Sequence, residues 1–280
     1  MGNLRFAAAL LFVAACGSDH ANNPDAAMPD SKSIDAKVWM DAPPPSYDFS
    51  CSTNPAPADG SASATITLSG TVTEVDINLA TQMPSIMTLD GATLNACKAG
   101  ATNCAGGNKF AGPATSAGGG NFSLGPISTV SNNPIDGYIA VTHNGDRNTY
   151  VFPPQKVAAD LAMIPVFVFT TTAFGLLDAV AGGNQQQTNG NLVLAVTDCM
   201  NQPIDGATIS VKQNGTAVSG ITDFDLGMAS SMAAGLHVVF NVPPGATEVN
   251  ATINGMMLHA HSVDVFAGGS TMTIIRPGYL

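Results

Sequence analysis

Two histidines near residue 260 have the spacing that comes closest to a metal-binding pair. His259 and His261 lie two apart in a predicted strand, so both imidazoles project from one face, about 7 Å apart along the chain. Such a pair binds a metal ion when a third ligand arrives from elsewhere in the fold. Met257 and Val263 share that face, which is typical of an ordinary strand. We therefore expect no metal site and no cofactor, with His259 and His261 as weak candidates.

The motifs of common hydrolases and nucleotide-binding enzymes do not occur in the sequence. It contains no His-Glu-x-x-His, no Gly-x-Ser-x-Gly and no phosphate loop ending in Gly-Lys. Glu74 and Glu248 are the only glutamates, which leaves few candidates for a general base. His143, beside the turn residues Asn144 and Gly145, is interpreted as a surface residue. The sequence thus predicts a protein that is not an enzyme.

The first sixteen residues have the pattern of a secretory signal. Arg5 is the only charge before Cys16, the segment 6–13 is wholly apolar, and small residues follow. The apolar segment is too short to span a bilayer core of ~30 Å. The ending Val13-Ala14-Ala15-Cys16 resembles the lipobox of bacterial lipoproteins, which implies cleavage before Cys16 and a lipid on it. An ordinary signal peptide cut elsewhere is the alternative. Gly17, in place of an acidic residue, implies by the same resemblance an outer-membrane location, on the periplasmic side or the cell surface.

Four cysteines remain after Cys16, and an even number in an exported chain indicates two disulfides. Cys97 and Cys104 close a small loop and are predicted to pair. That leaves Cys51 to pair with Cys199, which would join the end of the N-terminal tether to the second domain. Free buried thiols are the alternative.

Composition favours strands and argues against nucleic acid as a partner. The chain has a net charge of -11 and only nine basic residues, so it would repel a phosphate backbone. Hydrophobic residues make up 45% of the chain, enough to fill a core. The 29 glycines and the abundant Thr and Ser suit strands joined by turns.

The pattern along the chain divides it into five segments. Residues 1–15 are predicted to be a lipoprotein signal peptide, and 16–60 the lipidated cysteine with an Asp/Ala/Pro-rich, disordered tether. Residues 61–172 form a first β-sandwich, 173–189 a short helix and linker, and 190–280 a second β-sandwich. Calcium binding by the tether aspartates is disfavoured, because no glycine lies between Asp25 and Asp41, but it is left open.

Apolar residues alternate with polar ones in both halves, as in half-buried strands. In the first half Ile66, Leu68 and Val72 alternate with threonines; in the second, Leu236, Val238, Phe240 and Val242 are assigned to the core, with His237 and Asn241 facing out. Residues 173–181 predict a helix. The fold class is therefore all-β: two tandem Ig-like or transthyretin-like sandwiches joined by a short helical connector.

A repeated turn motif links the two halves. Asp90-Gly91-Ala92-Thr93-Leu94 matches Asp205-Gly206-Ala207-Thr208-Ile209, 115 residues later. Together with Val242-Pro243-Pro244-Gly245, this pattern resembles the carboxypeptidase regulatory-like domain, a transthyretin-like sandwich. The resemblance is good over residues 190–280 and looser over 61–170, where 99–119 is a long insertion. The tether after a lipobox is similar to predicted lipoproteins of myxobacteria-like organisms.

The resemblance implies a non-catalytic module. We expect a lipid-anchored cell-envelope protein with a structural or binding role, whose partners are the membrane, through the lipid, and a protein or carbohydrate ligand. Loops 99–119 and 215–227 are the expected binding surfaces. An accessory subunit of an envelope or secretion assembly is the alternative, and a metal-dependent hydrolase with an unrecognised site is a further one.

Overall fold

The computed structural model describes residues 46–78, 83–101, 103–183, 185–229 and 233–279. The predicted signal peptide, Cys16 and most of the predicted tether lie outside these residues. In the described part of the chain, no helix combines the length and the apolar character that a bilayer-spanning helix needs.

The first half contains eight strands, followed by a helix. The strands are β1 (Thr65–Asn78), β2 (Met83–Thr88), β3 (Thr93–Lys98), β4 (Lys109–Thr115), β5 (Asn121–Ser128), β6 (Gly137–Thr142), β7 (Thr149–Val151) and β8 (Leu161–Phe169). Helix α1 (Thr171–Val180) follows, and the Thr170 hydroxyl caps it by accepting the Ala173 N–H at 3.0 Å. This helix confirms the predicted connector.

The second half contains nine strands and one short helix. They are β9 (Gly190–Val196), β10 (Thr208–Gln213), β11 (Thr216–Ala217), β12 (Thr222–Asp225), α2 (Leu226–Ala229), β13 (Leu236–Val242), β14 (Gly245–Ile253), β15 (Met256–Met257), β16 (His261–Val265) and β17 (Ser270–Ile275). Among the described residues, 3₁₀ turns also occur at Ser50–Thr53, Gly106–Asn108 and Val130–Asn132.

The two halves have the same sandwich topology. In each, the first strand pairs in parallel with the last, β1 with β8 and β9 with β17. Each first strand also has an antiparallel neighbour, β5 for β1 and β13 for β9. The opposing layer is β4-β3-β6-β7 in the first half and β11-β10-β14-β16 in the second. The all-β fold of two tandem sandwiches is therefore confirmed.

The two sandwiches share one continuous sheet. β17 pairs in parallel with β9 of its own sandwich along one edge and with β7 of the first sandwich along the other. An eight-stranded sheet results, in the order β12-β13-β9-β17-β7-β6-β3-β4. The outer sheet of the first half (β1, β2, β5, β8) packs against one face of this central sheet, and the outer sheet of the second half (β10, β11, β14, β15, β16) against the other.

Each face of the central sheet belongs to a different hydrophobic core. Val193 of β9 lies in the core of the first sandwich, whereas its neighbours Leu192 and Leu194 lie in the core of the second. α1 extends the first core over the second half, because Phe174 packs on Phe240 with ring centroids 5.5 Å apart. The central strands are thus buried on both faces.

This double burial corrects the face assignment of β13. His237 and Asn241, predicted to face out, are 1% and 7% exposed. Val238 and Phe240 are buried as predicted, but in the core of the first sandwich, while Val239 belongs to the second. A register shift between Val239 and Val242 further breaks the alternation. The prediction from alternating residues fails here because it assumes that one face of the strand is exposed to solvent.

Two other segments differ from the prediction. The proposed insertion at 99–119 contains β4, an edge strand that pairs with β3. The segment 256–265, predicted as one strand, is interrupted between β15 and β16, so His259 lies outside both strands. Strand β8, which contains Pro165, is an edge strand, since it pairs only with β1 among the described strands.

Candidate functional site

The Cys51–Cys199 disulfide lies at one end of the second sandwich, next to Tyr279. We call the region around this disulfide the base. The two Cα atoms are 5.6 Å apart, and Cys51 is buried. Around it the backbone N–H of Cys199 donates to the Asp48 carbonyl at 2.9 Å, and the Asp48 N–H donates to Asp198 Oδ2 at 3.0 Å. Asn54 Nδ2 donates to the Tyr279 carbonyl at 2.9 Å, which places the two ends of the described chain side by side. The predicted Cys51–Cys199 pairing is the one present.

The predicted tether is docked at this base over its last residues. Tyr47, within the segment 16–60, packs against the core of the second sandwich, and its hydroxyl accepts the Asp205 N–H at 3.2 Å. The incoming chain is thus fixed to the second sandwich before it enters β1 of the first.

The second disulfide lies at the contact between the sandwiches. Cys97 and Cys104, paired as predicted with Cα atoms 5.3 Å apart, close a loop after β3. Within that loop the Gly100 N–H donates to Asp264 Oδ2 of β16 at 2.6 Å. Tyr138 reaches the same loop, donating its hydroxyl to the Ala101 carbonyl at 3.3 Å. Burial raises the Tyr138 pKa to about 12.

His259 and His261 do not project from one strand face. The His259 ring lies against Tyr279, with centroids 4.4 Å apart, in the break before β16. His261 Nε2 is buried without a hydrogen-bond partner. Burial, followed by the nearby His259, lowers the His261 pKa to about 4. The surroundings of His261 therefore favour a neutral imidazole in the outer sheet.

Arg147 connects the two sandwiches at the opposite end of β17 from the base. Its Nη2 donates to the Gly268 carbonyl at 2.8 Å, and the guanidinium lies 4.1 Å from the centroid of the Phe174 ring on α1. With its amide oriented to satisfy its neighbours, Asn191 accepts from the same Nη2 at 3.3 Å. Burial lowers the Arg147 pKa, but the group stays charged near neutral pH.

A carboxylate–imidazole cluster lies directly beside Arg147. His143 and Asp146 flank the β6–β7 turn, with Nδ1 and Oδ2 2.7 Å apart. Glu74 approaches from β1, and one ligand atom from each of the three side chains lies within 4.8 Å of the others. We call these three residues the junction cluster. Among the described residues, this is the one group of three His, Cys, Asp or Glu side chains whose ligand atoms lie this close together. It includes neither His259 nor His261.

Negative charge dominates the junction cluster. Burial raises the Glu74 pKa, and the carboxylates of Asp146 and Asp76 raise it further, while His143 lowers it. Asp76 itself accepts the Thr170 hydroxyl at 2.7 Å. Chemically, this set of oxygen and nitrogen donors can bind a proton or a cation.

The sequence interpretation missed the junction cluster. His143 was assigned to the surface, Glu74 was noted only as one of two glutamates, and Asp76 and Asp146 were not singled out. The separation of Glu74 from the turn by about 70 residues left no local motif. The available signal was weaker: a His and an Asp at i and i+3 around an Asn-Gly turn, in a chain with only two glutamates.

Comparisons with known proteins give only distant structural similarity. No family model matches the sequence, and no curated protein matches it. The Bacillus anthracis TIE protein aligns over 76% of this chain and 34% of its own length, with 12% identity and a TM-score of 0.25. The chain thus spans about a third of that protein.

Two pilins align at a similar level. A streptococcal ancillary pilin aligns over 74% of this chain and 62% of its own, with 12% identity and a TM-score of 0.20. The major pilin subunit of Bacillus cereus aligns over 75% and 99%, with 10% identity and a TM-score of 0.22. At TM-scores this low, functional assignment depends on the contacts within the chain itself.

Proposed function

We propose that this chain is a non-catalytic structural and adhesive module of the bacterial cell envelope, held at the outer membrane by a lipid on Cys16. The single observation that carries the proposal is the disulfide between Cys51 and Cys199, which fixes the tether to the folded part. A tether fastened in this way transmits force from an anchor directly into the central sheet.

The path of that force supports a load-bearing role. Cys199 follows the C-terminal end of β9, and Arg147 lies near the N-terminal end of the parallel strand β17. If a ligand bound at the opposite end pulled against the base, the load would act along the parallel β9–β17 ladder. Many backbone hydrogen bonds would have to break together, because the load acts along the strands.

The two disulfides support an exported location. Disulfides form and persist in oxidising compartments, including the periplasm and the cell surface. The lipobox-like ending at Cys16 supports the same location and adds a lipid anchor. The carboxypeptidase regulatory-like resemblance supports a binding role without chemistry, although no family model matches.

The proposed binding surfaces are the exposed turns at the edges of the sheets. Residues 116–120 connect β4 to β5, and residues 214–215 form the turn between β10 and β11. Residues 117–119 lie within the loop 99–119 that the sequence suggested, and Gly215 lies within the loop 215–227; all of them are exposed and accessible to a peptide or glycan.

The experiment compares cells that express the natural chain with cells that express Cys16→Ala. We expect the natural chain to carry a diacylglycerol mass on an N-terminal Cys16 and to sediment with outer membranes, whereas the variant is released in soluble form. Protease added outside whole cells then separates surface display from periplasmic residence. An intact Met1, or equal membrane association of the variant, would overturn the anchor.

The adhesive role is tested with the purified chain on glycan and peptide arrays. Shortening the exposed segment 117–119 should remove binding, whereas shortening the exposed linker between Asn54 and Gly60 should not. If neither variant loses binding, the assignment of the binding surface is wrong.

A further inference from the structure

We propose that Glu74, His143 and Asp146 form a site for one divalent transition-metal ion of the Zn²⁺ type. The site is independent of the proposed function, since it rests on the geometry of the junction cluster alone. It uses donors from two parts of the first sandwich, the distal half of β1 and the β6–β7 turn.

The donors already converge. One ligand atom from each side chain lies within 4.8 Å of the others, so small side-chain movements would bring all three onto one ion. His143 Nδ1 and Asp146 Oδ2 are 2.7 Å apart, so a small side-chain rotation would let both face one ion. The Asp146 side chain is only 3% exposed, which means that the fold holds a carboxylate out of water at this point.

The backbone that carries these donors is fixed on both sides. The Arg147 N–H donates to the Phe169 carbonyl at 3.0 Å, and Asp146 forms an isolated bridge with Thr170. The Asp146 N–H also closes the turn on the His143 carbonyl at 3.3 Å. A site built on such a frame loses little conformational entropy when the ion binds.

The charge of the cluster favours a cation. Burial raises the pKa of Glu74, and the carboxylates of Asp146 and Asp76 raise it further; a bound cation would relieve the repulsion among these carboxylates. The mixture of donors selects the type of ion. Calcium and magnesium take all-oxygen sites, whereas an imidazole beside carboxylates suits zinc and its neighbours. Three protein ligands leave a position open for water.

Binding would have a structural consequence, because the turn leads directly into Arg147. An ion that ties Glu74 to His143 and Asp146 would fix the β6–β7 turn on β1. Arg147, held by that turn, contacts Gly268 of the second half and Phe174 of α1. The ion would therefore stiffen the contact between the sandwiches.

The test is calorimetric titration of the purified full chain, stripped with a chelator, with Zn²⁺ alone. We expect one ion per chain and an increase in Tm on loading. Glu74→Gln and His143→Gln should each weaken binding by about tenfold or more, because each removes one of three ligands. Circular dichroism verifies that each variant keeps its β spectrum, and the second variant serves if the first does not fold.

The chain supplies matched controls. Glu248→Gln alters the only other glutamate, an exposed residue paired with Lys212 at 3.7 Å, and His259→Gln alters a histidine outside the junction cluster. Both should bind Zn²⁺ as the natural chain does. Equal binding by the natural chain and both cluster variants, loss of binding in His259→Gln, or preference for Ca²⁺ over Zn²⁺ would each overturn the proposal.

Discussion

The first strands of the two sandwiches, β1 and β9, occupy the same place in the same topology, yet their sequences differ. β1 alternates buried apolar residues such as Val72 with half-buried Thr71 and Thr73. β9 reads Leu-Val-Leu-Ala-Val over 192–196, with all but Ala195 buried. The difference follows from their neighbours, since one face of β1 borders solvent, whereas β9 lies inside the central sheet.

The comparison shows that a strand's pattern depends on what covers it as much as on its topology. The face of β9 and β13 that points away from the second core is covered by the core of the first sandwich and by α1. Stability should therefore be distributed unequally, with the second sandwich more sensitive to changes in its central strands and in its connection to the tether.

The two disulfides provide the largest expected difference. Cys51–Cys199 spans 148 residues and Cys97–Cys104 spans 7. In the chain-entropy description, removing the first with paired alanines should cost about 5 kcal/mol of unfolding free energy, against about 2 kcal/mol for the second. Urea unfolding of the two double variants measures both. Equal losses would show that the base contributes no special constraint.

A charged side chain on either face of β9 should lower the unfolding free energy nearly as much as the loss of Cys51–Cys199. Val193→Asp places a carboxylate in the core of the first sandwich, and the expected loss is about 4 kcal/mol. The matched control in β1 is Ser69→Asp, on its half-buried face, with an expected loss below about 1 kcal/mol. Chemical denaturation measures the unfolding free energy of both variants. If Val193→Asp costs no more than Ser69→Asp, one face of β9 must be exposed to solvent.

Acid should weaken the second sandwich through His261. Its folded-state pKa of about 4 lies below the ordinary value of 6.5. The unfolded chain therefore binds the proton first as the pH falls. Stability is complete above pH 6.5 and is lost as the pH falls through 4, by at most about 3 kcal/mol.

The check compares urea unfolding at pH 7.5 and 4.5 for the natural chain and His261→Leu. Carboxylates titrate in both proteins, so the difference between them isolates the imidazole. An acid-induced loss in the variant as large as in the natural chain would rule out this assignment.

The smallest expected effect concerns the contact between the sandwiches. Arg147→Met should cost about 2 kcal/mol, because it removes a charged hydrogen bond to the Gly268 carbonyl and the contact with the Phe174 ring. Hydrogen exchange should accelerate at the Asn191 and Ser270 amides near the junction, and remain slow at the base. Arg276→Met, beside Asn201 at the base, should show the reverse distribution.

Strand content was accessible from the sequence, whereas the sharing of a sheet was not. Alternation located β1 and β13, and Asn144 and Gly145 were identified as turn residues, because these patterns depend on neighbours in sequence. The pairing of β17 with β7 joins residues about 120 apart and leaves no local pattern. The continuous apolar run of β9 was the one trace of it, as in strands covered on both sides.

The candidate sites could likewise be predicted only where they depend on residues close in sequence. Four cysteines allow only three pairings, and the short spacing of Cys97 and Cys104 favoured the pairing that is present. The junction cluster, by contrast, depends on the approach of β1 to a distant turn, which only the folded sandwich defines. The placement of His259 and His261 failed to fit one strand face because the chain breaks between β15 and β16.

The position of β17 has a consequence for biosynthesis. It leaves the ribosome after every strand that it joins, so a nascent chain can pair β1 with β5 or β3 with β6 while β7 and β9 still lack their common partner. The central sheet closes only once residues 270–275 are available. In the export that we propose, translocation before closure would leave that final step to the far side of the membrane, where Cys51 and Cys199 could then be oxidised.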